Sequence, residues 1–258
     1  MLTAEEVAIP RARKMNVHTI QRRRSGYAAP RTSDIRVLSL RRTLEDCQRA
    51  ALGARQYELL GGAEQDATLY AVGDLAALQH PCVSIVGTRD VSEAGWLRAR
   101  RLSKELAAAG VTVVSGLAKG VDTAAHTAAI EAGGRTVAVI GTPVGKAYPA
   151  ENAKLQEEIY SRHLLISPFA EGENVFRSNF PKRNRVMAAL SDATVIIEAS
   201  DTSGTLHQAA ECQRLNRWLF ITKSVVDDSS LTWPKRFVGN PRVGVLQSVS
   251  DVLDAIRA

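Results

Sequence analysis

VSIVGTRDVSEAGWLRARRLSKELAAAGVTVVSGLAKG, residues 83–120, decides the fold. It opens on a short apolar run, Val83 to Val86, with no alternating polar face, the pattern of a strand covered on both sides. The run passes directly into Gly87-Thr88-Arg89. Trp96, Ala99, Leu102 and Leu106 then recur at spacings of three and four, which predicts a helix over 93–109 closed by Gly110. The unit then repeats: a strand over 111–114, a loop Ser115-Gly116-Leu117-Ala118-Lys119-Gly120, and an alanine-rich helix to Ala132 with Asp122 as its N-cap.

Outward from this stretch the alternation continues. Strands are expected at 68–72, 136–140, 164–167, 194–199 and 218–222, with helices over 151–160, from about Pro181, and after Ser203-Gly204-Thr205. Residues 43–60 place Leu44, Cys47, Ala51 and Leu52 on one helical face and read as a covering helix. Strands alternating with helices specify an α/β fold with a mainly parallel sheet and helices on both faces. In such sheets ligands bind at the carboxyl ends of the strands.

The formal charge of +6 is unevenly spread. Residues 1–42 hold 10 Lys/Arg against 3 Asp/Glu, leaving 23 against 24 for the rest of the chain. The first segment, with Arg22-Arg23-Arg24, is expected to be a loosely ordered basic arm, and 43–258 a single domain. The near-neutral remainder must owe any anion site to local clustering. Cys47, Cys82 and Cys212 lack metal-ligand or disulfide-framework spacing. No apolar run is long enough to span a membrane, and no secretory leader pattern opens the chain. A soluble, cytoplasmic protein is expected.

The chemistry gathers at the strand exits. Gly87-Thr88, Ser115-Gly116 with Gly120, Gly141-Thr142 and Ser203-Gly204-Thr205 each combine glycine with a hydroxyl. Glycine admits a phosphate close to the backbone, hydroxyls donate to it, and a following helix presents free amides. At Pro181 a helix start is expected, with Lys182, Arg183 and Arg185 in its first turn, each unfavourable there by roughly 0.3–1 kcal/mol at an exposed site unless an anion is bound. Phe180, just before, is placed to stack on a base. The competing reading is a solvated cationic turn with Phe180 in the core; four glycine turns on one sheet edge favour a phosphate-rich ligand. No G-x-G-x-x-G and no Walker pattern is present. His126, His207, Asp122, Glu198 and Asp201 form no nucleophile–base pair at any readable spacing, so no catalytic residue, metal ligand or cofactor is assigned.

These residues resemble the DNA-processing protein A family, DprA, also called Smf. The similarity runs from about Thr68 to Thr222 through SIVGTR at 84–89, SGLAKGVDTAAH at 115–126, YPAEN at 148–152, FPKRNRVMAALSD at 180–192 and IEASDTSGTL at 197–206. It implies an extended Rossmann-like domain, single-stranded DNA as ligand, a homodimer, no enzymatic activity, and loading of a RecA-type recombinase during natural transformation or related DNA processing. It places Arg89, Lys119, Arg183 and Arg185 on the DNA backbone and Phe180 against a base, with Arg177, Lys182 and Asn184 beside them. The chain departs from the family after Ile221, where Thr222-Lys223-Ser224 and later Trp233-Pro234-Lys235-Arg236 replace the usual Pro-Gly and Gly-Thr-Asn segments. A reduced N-terminal helical domain and no winged helix are also expected. The alternative is a nucleotide sensor or a nucleotide N-glycoside hydrolase of the LOG type. Gln208 stands where that hydrolase carries a glutamate, and an amide cannot take up a proton as a carboxylate does.

Overall fold

A computed structural model describes residues 26–49, 57, 58, 60 and 66–257. The strands are β1 Arg36–Ser39, β2 Thr68–Gly73, β3 Cys82–Val86, β4 Thr112–Ser115, β5 Thr136–Val139, β6 Leu164–Ser167, β7 Ala193–Ile196, β8 Trp218–Thr222 and β9 Val243–Leu246. The helices are α1 Leu40–Asp46, α2 Glu93–Ala108, α3 Val121–Glu131, α4 Ala153–Arg162, α5 Asn179–Leu190, α6 Thr205–Arg214, α7 Lys223–Val226 and α8 Val249–Arg257. One sheet runs β1-β2-β6-β5-β4-β3-β7-β8-β9. It is parallel from β6 to β9; β2 joins β6 antiparallel, and β1 joins β2 antiparallel. The α/β reading of the sequence and its Rossmann-like form are this architecture.

Period-two geometry sends alternate strand residues to opposite faces. Val137 and Val139 of β5, Leu164 and Ile166 of β6 and Leu219 and Ile221 of β8 pack with α1, α5 and α6. Val83 and Ile85 of β3, Val113 of β4 and Val195 of β7 pack with α2, α3 and α8, and α4 closes a smaller cluster with Ala138, Ile140 and Leu165. Both faces are apolar because both are covered, which is why these strands show no polar alternation.

Strand order fixes where a ligand can enter. From β3 the chain moves to β4, β5 and β6 on one side; from β7 it moves to β8 and β9 on the other. The reversal opens a crevice above the carboxyl ends of β3 and β7, the topological switch point of an open α/β sheet.

Several sequence expectations change. Residues 26–42 join the fold instead of forming part of an arm: β1 pairs with β2, Ser39 caps α1 by accepting from Arg42 N, and the Tyr27 hydroxyl donates to Val144 O at 2.7 Å. Residues 1–25 lie outside the described residues. The covering helix expected over 43–60 is interrupted: α1 runs from Leu40 to Asp46 and Gln48 has φ of 54°, while Tyr57 and Glu58 are again helical; Ala51 and Leu52 lie outside the described residues. β9 and α8 also form beyond Thr222, where the apolar signals are short.

Candidate nucleic-acid interface

Two adjoining cavities occupy the carboxyl edge of the sheet. The first, about 280 Å³, fills the switch point and is lined by Gly87, Thr88, Asn184, Ser200, Ser203, Gly204, Thr205 and His207. The second, about 310 Å³, is lined by Gly116, Lys119, Gly141, Tyr148 and Pro149. Arg89, Ala118, Phe180 and Arg183 belong to both. The loop after β3 and the start of α5 therefore form a divide with a chamber on either side.

Helix α5 makes this divide. It begins at Asn179, two residues before the proline signal, so Pro181 is its third residue, still among the first four amides that lack an intrahelical acceptor. This shift corrects the dipole argument: Arg183 and Arg185 stand beyond the first turn, where the dipole effect has fallen away. Their surroundings decide their roles instead. Arg183 is buried, 6% exposed, and lies against Gly116, where any side chain would collide with the guanidinium. Nη1 donates to Val139 O at 2.8 Å, and Nε is left without a partner. Burial lowers the Arg183 pKa, the Asp122 carboxylate opposes that shift, and Arg89 adds to it. A buried charge with one hydrogen bond is an expensive arrangement that an anion in either cavity would relieve.

Arg185 differs. Its Nε donates to Glu211 Oε1 at 2.9 Å, and the Glu211 side chain, 4% exposed, also takes Arg214 at 2.6 Å. Arg185 is in neither cavity wall. Lys182 is half-buried and Arg177 exposed, both outside the two linings. Asn184 reaches Gly204 O at 3.3 Å on the first cavity's wall.

Phe180 is half-buried, its ring over Gly141, 5.6 Å from the Tyr148 ring and 5.7 Å from the Arg89 guanidinium carbon. Arg89 is exposed. Lys119 is also exposed and pairs with Glu151 at 2.7 Å; with both side chains more than half exposed, water and salt weaken that pair, so Lys119 is readily released to a competing anion. The Arg185–Glu211 pair, anchored on a buried carboxylate, lacks that freedom.

The glycine turns divide. Gly87, Thr88, Ser203, Gly204 and Thr205 do line the first cavity, where Thr205 N donates to Ser203 Oγ at 3.2 Å. Gly116 and Gly141 line the second cavity, but the hydroxyls beside them are engaged by the protein itself. Ser115 is buried and donates to Ile85 O at 2.6 Å, and Thr142 is buried and donates to Lys146 O at 2.8 Å. The Gly116 amide donates to Asp122 Oδ2 at 3.2 Å. Gly120, with φ of 77°, is the N-cap of α3, a role expected of Asp122. Asp122 instead sits inside α3 and holds the 116–118 loop, its pKa raised by burial against the lowering pull of Arg183.

Of the acid and base candidates, Asp122, His126, Glu198 and Asp201 engage groups of the protein itself, while His207 stands exposed on the wall of the first cavity. His126 is fully buried, and burial drives its pKa down to about 3. Its Nδ1 lies 2.7 Å from Thr136 Oγ1, whose hydroxyl already donates to Val113 O, so Nδ1 carries the proton and Thr136 accepts it. Glu198 accepts from the Ser92 hydroxyl at the start of α2. Asp201 accepts from Thr232 and from Trp233 N. Gln208 is buried and, with its amide oriented to suit its neighbours, donates to Asn184 O at 2.7 Å. Sequence reasoning missed Tyr148, Ser200 and Pro149 as wall residues; YPAEN carried the first and third, but nothing in its spacing joins it to Phe180.

A family model, DNA recombination-mediator protein A, matches residues 56–257, most of the chain. The chain belongs to that family. Among curated members of the DNA recombination-mediator protein A family, Protein Smf of Synechocystis is 42% identical over 142 residues, covering 55% of this chain and 36% of the relative. DNA processing protein DprA of Streptococcus pneumoniae is 39% identical over 163 residues, covering 63% of this chain and 57% of the relative. The chain thus spans about a third to just over half of these relatives. The S. pneumoniae DprA crystal structure superposes with a TM-score of 0.70 at 32% identity over 85% of this chain and 74% of that one. DprA of Helicobacter pylori, described for its single-stranded DNA binding mode, superposes with a TM-score of 0.67 at 25% identity over 81% of this chain and 96% of that one. Among the described residues no helix is long and apolar enough to cross a membrane.

Proposed function

We propose that this protein binds single-stranded DNA as a non-enzymatic recombination mediator, protecting the strand and passing it to a RecA-type recombinase, with a homodimer as the working form. One observation carries the reading. Arg183 is a buried guanidinium with an unpartnered Nε on the divide between two open cavities, with Arg89 and Lys119 exposed at their rims. A phosphate is the ligand such a group recognises best, because a planar cation that has already lost its water gains most from an anion able to accept more than one hydrogen bond. An aromatic ring within 6 Å of Arg89 supplies the apolar partner a base needs, so the arrangement suits a polynucleotide better than inorganic phosphate. The DNA recombination-mediator relatives, one of them described as binding single-stranded DNA, support the same reading.

The contacts we assign are Arg89, Lys119 and Arg183 to phosphates, Phe180 to a base, and Asn184 with the 203–205 turn along the first cavity. Fluorescence anisotropy with a labelled oligothymidylate should show affinity falling linearly on a log–log plot against salt, with a slope of about −0.7 per phosphate contacted. Absence of binding at low salt would refute the reading. Nucleotide sensing at the first cavity is the second reading, favoured by the α6 start and the 203–205 turn there; it predicts saturable binding of a nucleoside monophosphate where the oligonucleotide fails.

A further inference from the structure

We propose that Tyr148 is a base-contacting residue, its ring forming a stacking face on the wall of the second cavity. The inference rests on the single-stranded DNA reading and names a contact that the sequence did not assign.

Aromatic residues are scarce here, 5% of the chain, and Tyr57, Phe169, Phe220 and Trp233 are buried in the core. Tyr148 is 46% exposed and lies on a cavity wall beside Arg89, Lys119 and Arg183. Its hydroxyl makes no hydrogen bond to any described residue, so no polar tether explains the ring's position. The backbone that carries the ring is nevertheless fixed, because the loop is pinned on both sides of it, and the ring itself rests against Phe180. Before it, Thr142 donates to Lys146 O at 2.8 Å, Gln156 and Tyr27 donate to Val144 O, and Gly145 N donates to Glu171 at 2.7 Å. After it, Asn152 donates to Leu117 O at 2.9 Å. A preorganised ring costs little further entropy on binding.

The geometry also says which face is used. Tyr148 and Phe180 stand 5.6 Å apart at 45°, already in contact, so no base slides between them. The open face of Tyr148 continues the wall begun by Phe180, and a base stacked there leaves its phosphate within the reach of the cations that line the same cavity. The ligand class is any unpaired nucleobase, because each presents a π face and the contact involves no base edge.

The test compares a labelled oligothymidylate with an abasic strand of equal length, by anisotropy across a salt series, for the wild type, Tyr148→Ala and Tyr148→Phe. Wild type should prefer the strand with bases. Tyr148→Ala should weaken oligothymidylate binding about 5- to 150-fold, leave abasic binding and the salt slope unchanged, and Tyr148→Phe should restore wild-type behaviour. Equal binding of oligothymidylate by wild type and Tyr148→Ala overturns the inference, as does equal binding of both strands by wild type; in either case the DNA reading stands. Parallel loss of both strands in Tyr148→Ala, or a Tyr148→Phe variant that behaves like Tyr148→Ala, overturns the stacking role. Wild type that binds neither strand overturns the DNA reading and this inference with it.

Discussion

Arg183 and Arg185 are two positions apart and have opposite fates, because residues i and i+2 of an α-helix point some 200° from each other. One turns into the divide between the cavities, the other toward Glu211 on α6. Arg183→Gln should abolish oligonucleotide binding at low salt, whereas Arg185→Gln should leave the binding isotherm nearly unchanged and lower thermal stability, since Glu211 loses a partner; anisotropy and melting on the same samples separate the two. His126 gives a second prediction. Its folded pKa of about 3 lies below the unfolded 6.5, so the unfolded chain takes up a proton that the folded one refuses. The stability this group contributes is complete above pH 6.5 and is lost as pH falls toward 3, at up to about 1.4 kcal/mol per pH unit. Urea unfolding of wild type and His126→Gln across that range should show the wild type losing stability more steeply on acidification.

The segment after α7 shows what an element contributes when its sequence signal is weak. Trp233 is fully buried and donates Nε1 to Ala199 O at 3.0 Å, while Asp201 accepts from Trp233 N at 2.7 Å. Burial alone would raise Asp201, but the hydrogen bonds from Thr232 and Trp233 outweigh it and hold the carboxyl below its ordinary range. Together they fasten the 199–204 turn that walls the first cavity. Trp233→Ala should cost about 3–5 kcal/mol, read as a lower urea midpoint, and should speed amide exchange in that turn. Family resemblance marked 233–236 as a departure; apolar periodicity is too short there to show that the departure supports the site.

On the scale of the whole molecule, the formal +6 reflects residues 1–42, while the remainder is near neutral and the cations at the cavities are a local feature. Because Lys154 donates to Gly26 O, Tyr27 to Val144 O and Ala28 N to Glu157, a truncation that spares these contacts must stop before Gly26. Removing residues 1–25 should leave oligonucleotide binding intact at low salt and make the salt slope shallower, since Arg22, Arg23 and Arg24 go with them. Complete loss of binding would move the interface from the cavities to the arm.

The alternation of apolar strands with 3.6-period helices is local, so the sequence alone determined the α/β class, most element positions between Thr68 and Thr222, and the gathering of glycine turns at strand exits. Strand order was not readable from any window, because it depends on which apolar faces meet across the chain; only tertiary structure put the exits of β3 and β7 side by side. The same holds for charge. Sequence counts cations but cannot tell Arg183, buried with a donor to spare, from Arg185, matched to Glu211 on a neighbouring helix, since desolvation and partnership arise only when helices pack.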